Sequence, residues 1–266
     1  LVEAAVLAAV ARRGGQGEFH AERDGLYQIA EPEPREAAFA ALHARWFVRL
    51  ALDRPFGEAL AERPVIAAHC GRWLVARARG ARDEGADLLV APSAPPTLLV
   101  RVTPETVAEG ARLSLLLRRD LLHVADMLDP RFSYAPSLPE DVAGGARESV
   151  VRGNYRVLWD AYVDGRLVRL GAVPPAVRAA RLAEFVRAFP HLGEGAEAAF
   201  TRFFCAKELT HAELLAFAAG GPGGAPLPRC RLCDLPGRDF ERGTTAQPAA
   251  VLAAITRDFP SWPPAD

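Results

Sequence analysis

The sequence lacks an apolar run long enough to cross a membrane. A membrane-spanning helix needs about 20 consecutive apolar residues, and no stretch of the 266-residue chain reaches that length. The opening segment, LVEAAVLAAVARRGG, is too short for a signal peptide and carries an acid where a signal peptide carries positive charge. The chain begins at Leu1 and not at a methionine, which leaves an upstream targeting segment open. We expect a soluble, cytoplasmic protein with no membrane partner.

The sequence also lacks an excess of charge of either sign. It has 32 lysine and arginine residues against 33 acidic residues, which gives a formal net charge of −1. A near-neutral protein has no overall electrostatic attraction for nucleic acid or for an anionic membrane surface. Any function must therefore come from a local group of residues.

Cysteine is scarce, and its few positions are informative. The four cysteines are Cys70, Cys205, Cys230 and Cys233. Four are too few for a disulfide framework in a chain of this size. Cys230 and Cys233 stand in the Cys-x-x-Cys spacing, in which two thiolates can bind one zinc ion from the same turn.

The segment PRCRLCDLPGRDF around this pair resembles a zinc knuckle. That resemblance implies a structural zinc ion held by Cys230, Cys233 and further ligands, since such sites have four. The remaining ligands could be His211, Cys205 or Asp234, or could lie beyond the end of the sequence. A redox dithiol and a pair of free loop cysteines are the open alternatives.

Hydrophobic periodicity predicts a mainly α fold with a small β component. Phe39, Leu42, Trp46 and Leu50 recur three or four residues apart, as one buried helical face requires. The short run TLLVRV predicts a strand. Further helices are predicted over 64–79, 108–128, 175–188, 195–207, 210–219 and 247–257. Thr103 followed by Pro104 and Glu105 predicts a helix start, and Thr210 with Glu213 predicts a capping box.

Residues 153–171 give conflicting signals. They fit a helix that ends at Gly165, or a hairpin that turns at Asp164 and Gly165, and we favour a helix for the first half. The glycine- and proline-rich segment GGPGGAPLP then predicts a linker. It separates a mainly helical domain over 1–220 from a C-terminal Cys-x-x-Cys tail over 226–266.

A polar stripe runs through the leucine-rich stretch LLLRRDLLHVADMLDP, residues 115–130. Residues at i, i+4 and i+7 share one helical face, so Arg119, His123 and Asp126 line up, with Asp120 beside them. The other faces of this helix are apolar enough to be buried. A polar stripe in such a helix needs polar partners, a wet cleft or a metal.

This stretch resembles the active-site helix of the zincin metallopeptidases. In that family His-Glu-x-x-His holds zinc between two imidazoles, and the glutamate activates a metal-bound water. The resemblance places His123 at the second histidine, and Arg119 and Asp120 at the first histidine and the glutamate. In the longer metzincin form of the motif, a glycine follows the second histidine by three residues and a third metal ligand follows it by six. Asp126 and Asp129 occupy these two positions. The strand TLLVRV fits the edge strand that precedes a zincin helix.

Two positions depart from the zincin motif. Arg119 cannot bind zinc because its guanidinium stays protonated and has no lone pair. Asp120 is one methylene shorter than the glutamate it replaces. The resemblance therefore predicts a degenerate, non-catalytic site that binds a protein or peptide partner, with Arg119 paired to Asp126 or Asp129 in place of a metal.

Three alternatives stay open at this point. The first is a metal-dependent hydrolase with Asp120 as base, with His123, Asp126 and Asp129 as ligands, and with further ligands from His69, His191 or His211. The second is a purely structural stripe of ion pairs along the helix. The third is an arginine-rich nucleic-acid-binding module, because residues 147–187 hold eight arginines against four acids. The near-neutral charge of the chain argues against this last one.

Overall fold

A computed structural model of the chain describes residues 1–139, 145–220 and 248–259, with residues 145–147 described by their backbone only. In these ranges the protein is mainly α with one three-stranded sheet, which confirms the predicted fold class. It divides into two compact units, Leu1–Pro130 and Arg131–Asp266. The predicted boundary near residue 220 adjoins residues outside the described ranges, so that division stays a prediction. None of the described helices is both long enough and apolar enough to span a membrane.

The N-terminal unit consists of helices around a small sheet. Its helices are α1 (Val2–Arg13), α2 (Gln16–Leu26), α3 (Pro32–Arg49), α4 (Arg54–Ala61), α5 (Pro64–His69), α6 (Pro104–Ala108) and α7 (Gly110–Leu128). Its strands are β1 (Arg72–Arg77), β2 (Gly85–Ala91) and β3 (Ala94–Val102). The core of the unit is formed by α1, α7 and β3, whose apolar residues are buried together.

The sheet corrects two predictions made from the sequence. Its order is β1-β3-β2, with β1 parallel and β2 antiparallel to β3. TLLVRV therefore lies in the central strand, and the prediction of an edge strand there was wrong. The predicted helix over 64–79 was also wrong beyond His69, since Trp73, Leu74 and Val75 pair with β3. Tryptophan and valine favour strands when a neighbouring strand is present to pair with them.

Two helices, α6 and α7, occupy the region where the sequence predicts a helix over 108–128. The hydroxyl of Thr103 accepts a hydrogen bond from the backbone N–H of Thr106, and Pro104 occupies the first helical position of α6. A break at Glu109 separates this short helix from α7. The predicted span of 108–128 is thus confirmed except at its first two residues.

All the regular secondary structure in the described part of the C-terminal unit is helical. It contains α8 (Gly145–Arg169), α9 (Val177–Ala188), α10 (Ala196–Phe204), α11 (His211–Ala218) and α12 (Ala249–Asp258). The predicted capping box at the start of α11 is present, with Thr210 and Glu213 bonded reciprocally. The hairpin considered for residues 153–171 was wrong, since α8 continues to Arg169 as one helix.

Gly165 lies inside α8 and does not cap a helix. It is buried where α8 crosses α10, and a Cβ atom at this position would overlap the carbonyl oxygen of Phe204. The side chain of Arg169 donates hydrogen bonds to the backbone oxygens of Phe204 and Ala206, at 2.9 and 2.7 Å. Gly165 therefore allows α8 and α10 to cross closely, and the hydrogen bonds of Arg169 stabilise this crossing.

A buried charge network joins α8 to α9. The Nε of Arg181 lies 2.6 Å from the fully buried carboxylate of Asp164, and its Nη1 lies 3.4 Å from Asp160 and 2.5 Å from Glu184. Burial opposes the charge of the Arg181 guanidinium, but the three carboxylates outweigh it and raise its pKa above the ordinary value. The arginine therefore stays charged inside the unit.

Candidate functional site

Helix α7 is buried on its apolar side, as its leucine-rich sequence predicts. Leu113, Leu117, Leu121 and Val124 are at most 1% exposed. The helix packs against α4, α5 and β2. The three-to-four-residue spacing of these leucines leaves the polar stripe on a different face.

The polar stripe is only partly exposed to solvent. Arg119, Asp120 and His123 are half-buried, and Asp126 is buried with 6% of its surface exposed. Each of them, and Asp129, takes part in a hydrogen bond, ion pair or other electrostatic or ring contact. Half-buried polar groups require such contacts. The predicted pairing of Arg119 with Asp126 stays a prediction.

Two ion pairs fix α7 in place. Arg118 holds Glu62 at the end of α4, with Nε and Nη2 lying 2.9 and 2.7 Å from one carboxylate oxygen. Arg112 lies 3.0 Å from Glu84, which directly precedes β2. Glu84 also accepts hydrogen bonds from the backbone N–H and the hydroxyl of Thr103. The helix is thus anchored to α4 on one side and to the start of β2 on the other.

The carboxyl of Glu84 is held in its charged form. Burial opposes its ionisation, but hydrogen bonds from Thr106 and Thr103 and the charge of Arg112 outweigh this effect. Together they lower the pKa of Glu84 below its ordinary value. The attachment of α7 to the start of β2 is therefore a charged one near neutral pH.

The stripe reaches the edge strand β2. The position that a Cβ atom would take on Gly85 lies 3.6 Å from Oδ2 of Asp120. Asp120 is the residue at the position of the zincin glutamate, and β2 is the antiparallel edge strand of the sheet. Helix α7 therefore lies beside the edge strand β2. The sequence predicted that TLLVRV, which lies in β3, would be this edge strand.

The far end of β2 is open to solvent. Leu89 is 47% exposed and Val90 is 73% exposed. Within the part of the chain that the structure describes, β3 is the one partner of the β2 backbone. The outward backbone groups of β2 are therefore free to pair with another strand.

The predicted ligands of a metal on α7 do not form a metal site by themselves. Among the described residues, no three histidine, cysteine, aspartate or glutamate side chains are grouped so that they could hold a metal ion. This includes His123, Asp126 and Asp129. His69 is exposed at the end of α5, where its Nδ1 lies 2.8 Å from the Val65 carbonyl oxygen. A ligand from outside the described ranges stays a prediction.

The cysteines are distributed over both units. Cys70 is buried in the N-terminal unit, where burial raises the pKa of its thiol. Cys205 is exposed in the C-terminal unit. Cys230, Cys233 and Asp234 lie outside the described residues, so the zinc-knuckle prediction stays a prediction.

An aromatic cluster around His211 was not anticipated from the sequence. The hydroxyl of Tyr155 lies 2.7 Å from Nδ1 of His211, and the rings of Phe132, Tyr134 and Tyr155 surround the imidazole. Burial lowers the pKa of His211. Since Tyr155 occupies Nδ1, only the other ring nitrogen remains for a metal.

Five of the eight arginines between residues 147 and 187 contact carboxylates or backbone oxygens in the part of the chain that the structure describes. Arg152 pairs with Glu148, Arg178 pairs with Glu197, and Arg156 pairs with Asp160. Arg169 donates a hydrogen bond to the backbone oxygen of Phe204 in α10, and Arg181 pairs with the buried carboxylate of Asp164. These contacts favour a structural role for most of the arginine-rich segment.

Comparison of the chain with protein-family models, with curated proteins and with solved structures finds no match. The geometry around α7 and β2 is accordingly the basis for the function proposed below.

Proposed function

We propose that the N-terminal unit is a non-catalytic binding domain built on a degenerate zincin-like helix. It binds an extended segment of a protein or peptide partner along β2 and does not cleave it. The observation that carries this proposal is the open edge of β2 beside the polar stripe of α7.

An open edge strand binds an extended peptide by adding it to the sheet. The peptide backbone pairs with the outward N–H and C=O groups, and exposed side chains of the strand select the sequence. Natural sheets protect unused edges with lysine, proline, a β-bulge or a covering element. The sequence of β2, GADLLVA, contains neither lysine nor proline, and its one charge, Asp87, pairs with Arg101. The pairing of β2 with β3 shifts register between Leu89 and Ala91, so the regular part of the edge runs from Gly85 to Leu89. Leu89 and Val90 favour an apolar segment as the partner.

Arg119 is the reason to propose binding without cleavage. The zincin mechanism needs an imidazole at this position to hold the metal, and a guanidinium has no lone pair to offer. Without this imidazole, α7 lacks the ligand set that activates a metal-bound water, so a peptide bound beside it should stay intact.

A displayed library of random ten-residue peptides, selected on the full chain, provides probes for this proposal. Fluorescence anisotropy then measures the Kd of selected peptides for the wild type and for a Leu89→Lys/Val90→Lys variant. We expect the double substitution to weaken binding by about tenfold or more, which is about 1.4 kcal/mol, because charged side chains at an edge oppose strand addition. Mass spectrometry should find the peptides intact after incubation.

Val48→Lys is the matched control, since Val48 is a 64% exposed apolar residue on α3. It should leave the Kd unchanged. A library without binders would overturn the proposal. So would peptides whose binding is lost on Leu74→Lys/Val75→Lys in β1 and not on the β2 substitutions. Cleavage that depends on His123 would favour the hydrolase instead.

We further propose that zinc, if the protein carries it, is held by Cys230 and Cys233 and not by α7. Zinc content per chain should therefore fall to background in Cys230→Ser/Cys233→Ser and stay at the wild-type level in His123→Ala. Elemental analysis of the purified proteins measures both. The opposite pattern, with zinc lost only in His123→Ala, would place the metal on α7 and contradict the non-catalytic proposal.

A further inference from the structure

The N-terminal unit contains a large cavity distinct from the β2 edge. Its volume is about 1070 Å³, and its walls come from α1, α2, α3, α4 and β1. Ligand pockets of proteins typically measure about 300–1,000 Å³, so this cavity has room for a small organic molecule. Neither the zincin resemblance nor the proposed peptide site uses it.

One face of α3 forms the largest wall of the cavity. Glu36, Phe39, Ala40, His43, Ala44 and Phe47 all line it. These residues recur at i, i+3, i+4, i+7, i+8 and i+11, so they share one side of the helix. The helix buries Leu42 and Trp46 in the core with a neighbouring face. Helix α3 thus supports the core and the cavity at the same time.

The cavity is rich in aromatic side chains. Tyr27 and Phe39 meet edge to face with their ring centroids 5.2 Å apart. Phe47 and Phe56 line other parts of the wall. Aromatic rings offer large apolar contact and a negative face that attracts cations. These walls favour a ligand with an aromatic or branched apolar body.

His43 is a buried polar group that faces this cavity. It is 6% exposed and lines the wall, and its ring lies 5.8 Å from that of Phe19. Among the residues that the structure describes, no hydrogen bond or ion pair engages its imidazole. Buried polar groups are normally hydrogen-bonded. The ring nitrogens of His43 are not among the fully buried unpartnered atoms, so the imidazole can accept a hydrogen bond from a ligand N–H group in the cavity.

Negative charge predominates at the cavity wall. Glu3, Glu36 and Asp53 line it, and within the described part of the chain their carboxylates form no ion pair. The one arginine of the wall, Arg23, lies 3.5 Å from the carboxylate of Asp24 outside the wall. A cationic ligand would therefore complement the negative charge of the cavity wall.

We propose that this cavity binds an organic ammonium compound with an aromatic body. The body contacts the aromatic walls, an ammonium N–H donates a hydrogen bond to His43, and the carboxylates balance the positive charge. A neutral hydrocarbon would leave His43 without a hydrogen bond, and an anion would be repelled by the carboxylates. This inference is independent of the peptide site on β2.

Three probes that share a naphthalene ring test the proposed chemistry. They are 2-naphthylmethylammonium, 2-naphthylmethanol and 2-naphthoate, each titrated against the full chain by ligand-observed NMR. We expect the ammonium compound to bind about fivefold or more tightly than the carboxylate, a ratio typical of a partly exposed charge interaction. Equal affinity for all three, or binding of none, would overturn the proposal.

Paired variants on α3 test the location. Glu36→Gln removes a carboxylate from the cavity wall, and Ala44→Trp fills the cavity; both should weaken binding of the ammonium probe. Glu33→Gln and Ala41→Trp change the same residue types at exposed positions of the same helix outside the wall, and should not. Thermal unfolding confirms that each variant is folded, and Glu36→Gln, an exposed substitution, decides the result if Ala44→Trp unfolds. Binding that neither cavity substitution affects would place the probe elsewhere and contradict the inference.

Discussion

Gly165→Ala is expected to lower the free energy of unfolding of the C-terminal unit by about 3 kcal/mol or more, which is at the upper end for overpacking. The added Cβ would overlap the carbonyl oxygen of Phe204 and lie 2.7 Å from its carbonyl carbon. Both atoms belong to the backbone, so no side-chain rotation can relieve the clash. The helices α8 and α10 would have to separate, which would also break the hydrogen bonds of Arg169 to Phe204 and Ala206. Urea denaturation followed by circular dichroism measures the loss.

Gly153→Ala is the matched control in the same helix. A Cβ at Gly153 meets no atom within 4 Å, and alanine is favoured over glycine in a helix by about 0.5–1 kcal/mol. We therefore expect this variant to be as stable as the wild type or more stable. If the two alanine variants unfolded at the same urea concentration, the close crossing of α8 and α10 would be refuted.

Arg181→Met is expected to lower the free energy of unfolding by about 3–5 kcal/mol, the usual cost of removing one partner of a buried ion pair. The carboxylate of Asp164 is fully buried and lies 2.6 Å from Nε of Arg181. Methionine keeps the length of the side chain but removes the charge that offsets the desolvation of this carboxylate. The same denaturation measurement applies.

Arg152→Met provides the exposed comparison. The pair of Arg152 with Glu148 lies on the surface of α8 with side chains 52% and 31% exposed. Pairs of this kind contribute about 0.3–0.5 kcal/mol. A loss for Arg181→Met no larger than that for Arg152→Met would mean that the buried network does not stabilise the unit.

Local signals in the sequence were sufficient to predict the helices whose capping residues stand next to them in the chain. Thr103 and Pro104 mark the start of α6, and Thr210 with Glu213 marks the start of α11. The leucine spacing of α7 identified a buried helix with a polar stripe. In each case the deciding residues lie within one or two helical turns of each other, so no tertiary contact is needed to read them.

Predictions failed where distant residues decide the structure. Residues 72–77 form β1 because β3 is available to pair with them, and the sequence of this segment alone also fits a helix. Gly165 has the sequence signature of a helix end or a turn. Its actual role is set by Phe204, a residue 39 positions later in the chain.

The candidate sites show the same division. The polar stripe of α7 was visible because its residues lie on one helix. Phe39 was assigned to the buried face of α3, whereas it lines the cavity next to His43. The open edge of β2 could not be predicted, because an edge is defined by the absence of a neighbouring strand and not by the residues of the strand itself.

Amide hydrogen exchange of residues 85–91, with and without a selected peptide, tests the proposed function most directly. Strand addition would give the outward N–H groups of β2 new hydrogen-bond partners, and these groups occur at alternate residues. When the peptide is bound, we expect alternate amides of β2 to exchange at least about tenfold more slowly, because they form new backbone hydrogen bonds. Unchanged exchange in β2, or protection confined to β1, would contradict the proposal that β2 is the binding edge.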